Sequence, residues 1–246
     1  MASRLQVVLP ADYLRGEDKR IPILILLAPE GEEGSRWLRH TQAETLSDKY
    51  QIAMVLVSCL QGCYTDMTFG YRFFQSLALG VPEYLHRIFP ALHLENGRCY
   101  VAGASIGGMG AIKLALTQHK RFAAAASFSG RLDNRESFFN PVEGDWFTEK
   151  RMINLWGSPE AIPGSENDLQ ALAEKAVNND SELPAFYISA GSDDAGFVSS
   201  RAFASDSRLQ ATFVERKGKQ GWPGWANELE QFLAWCEKKG RFEKCR

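Results

Sequence analysis

The run Cys99-Tyr100-Val101-Ala102-Gly103-Ala104-Ser105-Ile106-Gly107-Gly108-Met109-Gly110-Ala111-Ile112-Lys113-Leu114-Ala115-Leu116 changes character at its centre. Cys99 to Ala102 is apolar in the manner of a buried strand, Met109 to Leu116 has helical character, and between them Gly103 and Gly107 flank Ser105. Strand, Gly-x-Ser-x-Gly and helix in that order make a nucleophile elbow. Glycines on both sides permit a sharp, strained turn, so that the serine projects above the sheet edge at a helix N-terminus. An anion formed at Ser105 would face backbone N–H groups, that of Ile106 among them, and the positive end of the helix. The spacing alone arises by chance in Gly- and Ser-containing loops; the flanking strand and helix make it specific.

Outward from the elbow, short apolar runs alternate with longer stretches of helical periodicity. The runs 23–27, 52–57, 98–102, 123–128, 185–190 and 212–214 read as strands. The segments 37–50, 71–89, 108–116, 168–177 and 225–238 read as helices. This alternation predicts an α/β fold with a mainly parallel central sheet and helices on both faces. The exception is 131–181, where Gly, Pro, Asn and irregularly spaced aromatics (Phe138, Phe139, Trp146, Phe147, Trp156) interrupt the pattern. It is expected as a small insertion over the sheet edge, before the strand at 185–190, inside a single domain spanning 1–246. Such aromatics suit a packed insertion better than a substrate pocket.

At 246 residues, with 45% hydrophobic and 24% charged side chains, the chain is long enough to bury a large core. Acidic and basic residues nearly cancel, 30 against 28, so the basic footprint that nucleic acid requires is missing. No apolar run reaches membrane-spanning length, and the start lacks the apolar core of a secretory signal. Cys59, Cys63, Cys99, Cys236 and Cys245 form an odd set without framework, redox or zinc spacing, as expected of reduced thiols in a cytoplasmic protein. The oligomeric state stays open, with a homo-oligomer as one option.

The stretches Ser35-Arg36-Trp37-Leu38-Arg39, Gly62-Cys63-Tyr64-Thr65-Asp66, the elbow through Ala111, Ser127-Phe128-Ser129-Gly130, Gly191-Ser192-Asp193-Asp194 and Gly218 through Trp225 occur in one order. Together they resemble the esterase D group of α/β-hydrolases, closest to the tributyrin-esterase type and more distantly to S-formylglutathione hydrolases. The resemblance runs from about Val7 to Trp235. It implies the α/β-hydrolase fold and a serine carboxylesterase acting on short-chain acyl esters. By position it makes Ser105 the nucleophile and Asp194 the acid, with Asp193 a close competitor. Tyr64 and Trp222 would border the substrate pocket, with a structural hydrogen-bonding role for Tyr64 and packing of the last helix by Trp222 as the plainer alternatives. Acyl transfer of this kind needs only side chains and backbone donors, so neither metal nor organic cofactor is expected.

Two departures bear on activity. The four histidines are His40, His86, His93 and His119, all far from the position after the acid, and Gln220 stands where the family has its histidine. A primary amide has no basic lone pair at neutral pH and cannot shuttle a proton. After the strand at 23–27 the family has a His-Gly pair that supplies an oxyanion donor, whereas this chain has Ala28-Pro29-Glu30. Proline lacks an N–H and restricts the residue before it, leaving the N–H of Glu30 as the second donor beside Ile106. A carboxylate there would oppose the developing negative charge. Glu30, Glu32 or Glu33, if desolvated, could act as a substitute base, although glutamates in loops usually face water. Two classes of function remain: an impaired serine esterase, and a non-catalytic relative that binds a ligand or partner.

Overall fold

In the computed structural model, the described residues are 4–14, 21–59, 62–92, 94, 99–135, 149–179 and 182–240. Seven strands form one sheet: β1 (Leu5–Val8), β2 (Ile23–Leu27), β3 (Ala53–Val57), β4 (Cys99–Ala104), β5 (Phe122–Phe128), β6 (Ala185–Gly191) and β7 (Thr212–Arg216). Their spatial order is β1-β3-β2-β4-β5-β6-β7. All neighbouring pairs are parallel except β1 with β3. β2, β3 and β4 are buried along their whole length because both faces of the sheet are covered. Ile23, Ile25 and Leu27 enter one core with Val101, Ile112 and Phe186. Leu24 and Leu26 enter the other with Trp37, Phe128, Tyr187 and Phe232.

The helices are α1 (Ala11–Leu14), α2 (Ser35–His40), α3 (Ala43–Tyr50), α4 (Phe73–Gln75), α5 (Val81–Ile88), α6 (Ile106–Thr117), α7 (Glu149–Trp156), α8 (Leu169–Asn178), α9 (Phe197–Ala204) and α10 (Trp222–Lys238). The single helix expected over 37–50 is two: Thr41 is extended, and its Oγ1 and N–H both donate to the Trp37 carbonyl, ending α2. The helix expected over 71–89 is interrupted by a π turn at Ser76–Gly80. α10 begins at Trp222 rather than Trp225, with Pro223 in its first turn, where the missing N–H costs nothing.

In the segment expected as an insertion, α7 lies against the loop after β3, where the Thr68 and Phe69 N–H groups donate to the Leu155 and Asn154 carbonyls. Asp168 caps α8 by accepting from the Ala171 N–H, and α8 packs on α6, so this part of the segment completes the crossover from β5 to β6. Trp156 is buried in the core; Phe138, Phe139, Trp146 and Phe147 lie outside the described residues. At the far end, buried Glu228 accepts from the Tyr187 hydroxyl at 2.8 Å and from Arg216 Nε, tying α10 to β6 and β7. That anchoring sets where Gln220 and Trp222 stand. Among the described residues no helix is long and apolar enough to cross a membrane.

Candidate active site

Ser105 has φ 53° and ψ −123°, a strained conformation for a residue with a side chain. Its N–H donates to the Phe128 carbonyl at 2.8 Å and its carbonyl accepts from the Gly108 N–H at 2.9 Å, which hold the turn. The glycines are required by contact. A Cβ at Gly103 would lie 2.2 Å from the Gly107 oxygen, and one at Gly107 would lie 2.4 Å from the Leu27 oxygen. The elbow is thus pressed onto the end of β2, and Ser105 stands immediately before the first residue of α6, Ile106.

Asp194 is half-buried just past β6. Its Oδ2 accepts from the Gly191 N–H at 2.7 Å and its Oδ1 from the Gln220 N–H at 2.8 Å. Asp193 instead is exposed and accepts from the Ser192 hydroxyl at 2.9 Å. Of the two carboxylates, it is therefore Asp194 that meets residue 220. A Cβ at Gly191 would fall 2.0 Å from the Gly218 oxygen and 2.9 Å from Gln220 Cγ, so only glycine lets this loop approach. The Gln220 amide nitrogen donates to the Lys217 carbonyl at 3.1 Å. Among the described residues, neither that amide nor any histidine is hydrogen-bonded to Ser105. His40 stacks on Trp222 and His119 Nδ1 faces the Leu116 carbonyl, while His93 is outside the described residues.

The loop after β2 takes a tight turn in which the Glu32 N–H donates to the Pro29 carbonyl and Gly31 adopts φ 70°. The Glu30 carboxylate forms an ion pair with Arg151 of α7 at 2.7 Å, with side chains only 11% and 18% exposed. Cys63 Sγ lies 3.7 Å from the same carboxylate and 3.5 Å from the guanidinium. The negative charge expected to oppose an oxyanion is therefore compensated, by a residue whose role was not visible in the sequence. Glu32 is bonded to Arg36 at 2.7 Å and to Trp222 Nε1 at 3.1 Å, and Glu33 accepts from the Ser35 hydroxyl. None of the three is the unpaired, desolvated carboxyl that a substitute base requires.

Tyr64 and Trp222 are both engaged structurally. The Tyr64 hydroxyl lies 2.9 Å from the Ala28 oxygen and 3.2 Å from the Val57 oxygen, and burial pushes this phenol well up. It lines a cavity whose walls include none of Ser105, Asp194, Gln220 or Trp222. Trp222 packs edge-on against Trp37 with centroids 5.1 Å apart. The described cysteines are buried and form no disulfide with one another; burial raises the Cys59 thiol well above its usual range and Cys99 to about 12, which makes these two unreactive.

Lys113 of α6, which no motif singles out, is fully buried. Its ammonium donates to Thr65 Oγ1 at 3.0 Å and Asn167 Oδ1 at 2.8 Å and sits 4.4 Å over the Phe74 ring. Burial lowers its pKa to about 8. The only signal was a lysine inside an otherwise apolar helix.

The strained serine elbow, the sheet order and the acid loop after β6 define an α/β-hydrolase of the esterase D-like group. The chain belongs to the family described as "Putative esterase", which matches residues 2–236. It is similar to an acetyl esterase from Caldicellulosiruptor saccharolyticus, 22% identical over 82% of this chain and 78% of that one. Among solved structures, it resembles the fluorophosphonate-binding serine hydrolase F of Staphylococcus aureus, with a TM-score of 0.84, 25% identity and coverage of 99% and 94%. It also resembles the S-formylglutathione hydrolase of the same organism, with a TM-score of 0.83, 26% identity and coverage of 96% and 92%. Family and neighbours support a serine esterase-type function.

Proposed function

We propose that this chain is a serine carboxylesterase of short-chain acyl esters in which Gln220, at the position of the base, impairs or abolishes turnover. Ser105 is the nucleophile and Asp194 the acid. Ile106 and Glu30 supply the oxyanion N–H groups, and Trp222, two residues beyond Gln220, borders the pocket. Tyr64 is left out of that pocket because its phenol is committed to the carbonyls at the ends of β2 and β3. The observation that carries this reading is the relation of Asp194 to residue 220. The backbone still approaches the carboxylate, but the side chain that should relay the proton is an amide turned to Lys217.

For hydrolysis, Ser105 Oγ must lose its proton as it bonds the acyl carbon, and the leaving alkoxide must gain one. Without a base, catalysis falls back on oxyanion stabilisation and binding. Removal of a triad histidine costs roughly a million-fold in a serine protease. The Gln220 amide, engaged with the Lys217 carbonyl, also favours, as a second reading, a non-catalytic relative that binds a ligand or partner through the same pocket.

The test is p-nitrophenyl butyrate hydrolysis by the chain and by Gln220→His, each with and without Ser105→Ala. A rate restored by histidine and abolished by Ser105→Ala supports an esterase lacking only its base. If neither protein exceeds its Ser105→Ala control, the oxyanion loop is closed as well and the binding reading replaces the first.

A further inference from the structure

The cavity that Tyr64 lines includes Leu5 of β1 and Val57 of β3, and among the described residues neither Ser105 nor any residue of β4 is on its lining. It measures about 710 Å³, within the range of small-molecule sites. Its floor is Val57 and Leu77, and its walls carry the rings of Tyr64, Tyr71, Phe73 and Tyr84. Tyr71 and Tyr84 are 64% and 60% exposed at its mouth, and Tyr71 meets Phe73 edge-on at 5.8 Å, so the aromatic surface is arranged and open to solvent.

Two further features converge on this cavity. The π turn at Ser76–Gly80 lines it, and such turns often accompany functional sites. Cys63 and Tyr64, also on its wall, are consecutive residues with positive φ, 45° and 54°. Strain of that kind persists where the surroundings hold it, and it clusters at binding sites. Arg72 stands on the lining, and its guanidinium has no carboxylate within ion-pair distance among the described residues; it has only a 3.5 Å contact with Gln75 Oε1.

We infer that this cavity is a second binding site, distinct from the Ser105 pocket, for a small aromatic carboxylate. Stacking and edge contacts with the four rings hold the flat body. Arg72 receives the anionic head in a forked geometry that suits a carboxylate.

The probe is 2-naphthoate, titrated by its fluorescence, with neutral 2-naphthamide as the control for charge. Gly80 lines the cavity in ordinary helical geometry, φ −68° and ψ −46°, and a Cβ there would meet only Ser76 Oγ, at 3.7 Å. Gly80→Phe therefore fills the space without removing a wall. The expected result is saturable one-to-one binding of naphthoate that Gly80→Phe weakens by about tenfold or more. Arg72→Gln should weaken naphthoate by about threefold and leave naphthamide unchanged. Should Gly80→Phe fail to fold, Tyr84→Ala, at an exposed ring, reads the same loss. Absence of saturable binding, or binding indifferent to Gly80→Phe and to Tyr84→Ala, overturns the proposal; the latter result places the probe elsewhere, including the Ser105 pocket.

Discussion

The two halves of the candidate site differ in completeness. Around Ser105 the backbone features of an elbow are in place: positive φ at the serine, glycines that admit no Cβ at Gly103 and Gly107, and α6 starting at the next residue, Ile106. Around residue 220 the loop geometry is equally specific, with Gly191 packed under Gly218 and Asp194 accepting two backbone N–H groups, yet the side chain is an amide that points to Lys217. On the proposed assignment of residue 220, backbone construction and proton-transfer chemistry are separable. The first is spread over many residues of the fold, whereas the second depends on one side chain.

The largest expected effect follows directly. Gln220→His should raise Ser105-dependent hydrolysis by at least about a thousandfold, near 4 kcal/mol of transition-state stabilisation. Adding Asp194→Asn should then remove most of that gain, because the imidazole loses its orienting acceptor. No gain in steady-state rate with p-nitrophenyl butyrate would mean that the halves are not independent and that the elbow side is impaired too. Next in size is a change on the elbow side. Gly103→Ala places a Cβ 2.2 Å from a backbone oxygen, and urea unfolding should show a loss of at least about 3 kcal/mol. A loss under 1 kcal/mol, by the ordinary range of surface substitutions, would mean that the elbow is looser than its contacts imply.

The elbow helix also carries a pH signature. Lys113 is bonded to neutral oxygens and covered by a ring, and although Glu166 and Asp66 favour its charge, burial outweighs them, so that its folded pKa of about 8 lies below the 10.5 of the free side chain. The folded state therefore disfavours the charged lysine. That cost is fully present below pH 8 and is relieved as pH rises from 8 toward 10.5. Stability should climb over this window by roughly 2 to 3 kcal/mol from this group. Lys113→Met should flatten that rise in denaturant midpoints measured against pH. An unchanged slope would show that the ammonium is better solvated than its surroundings suggest.

Much of this architecture was legible in sequence. The run Ile23 to Leu27 reads as a buried strand and is one, and Ser105 between glycines reads as an elbow and is one. Local pattern failed where the deciding partner is distant or the deviation is fine. Thr41 ends α2 through a hydrogen bond that no periodicity records, and the π turn over Ser76–Gly80 keeps the composition of a helix. Lys113 joins Thr65 and Asn167, and Glu30 meets Arg151, across segments far apart in the chain. Tyr64 reads by resemblance either as a neighbour of the acyl pocket or as a structural hydrogen-bonding residue; its hydroxyl lies within hydrogen-bond reach of the carbonyls of Ala28 and Val57, partners that no local pattern records.

The smallest effect tests the separation most directly. In the unaltered chain the Asp194 carboxylate, among the described residues, accepts only from the backbone N–H groups of Gly191 and Gln220. Asp194→Asn keeps the shape but offers one acceptor oxygen and an NH₂ that faces a second donor. Urea unfolding should therefore register a loss of about 1 kcal/mol. Any Ser105-dependent rate should stay within about twofold, because no group on the Gln220 side relays a proton for Asp194 to orient. A larger fall in rate would show that the carboxylate is acting on a reacting proton by another route. The missing side chain would then not be the only link between the two halves.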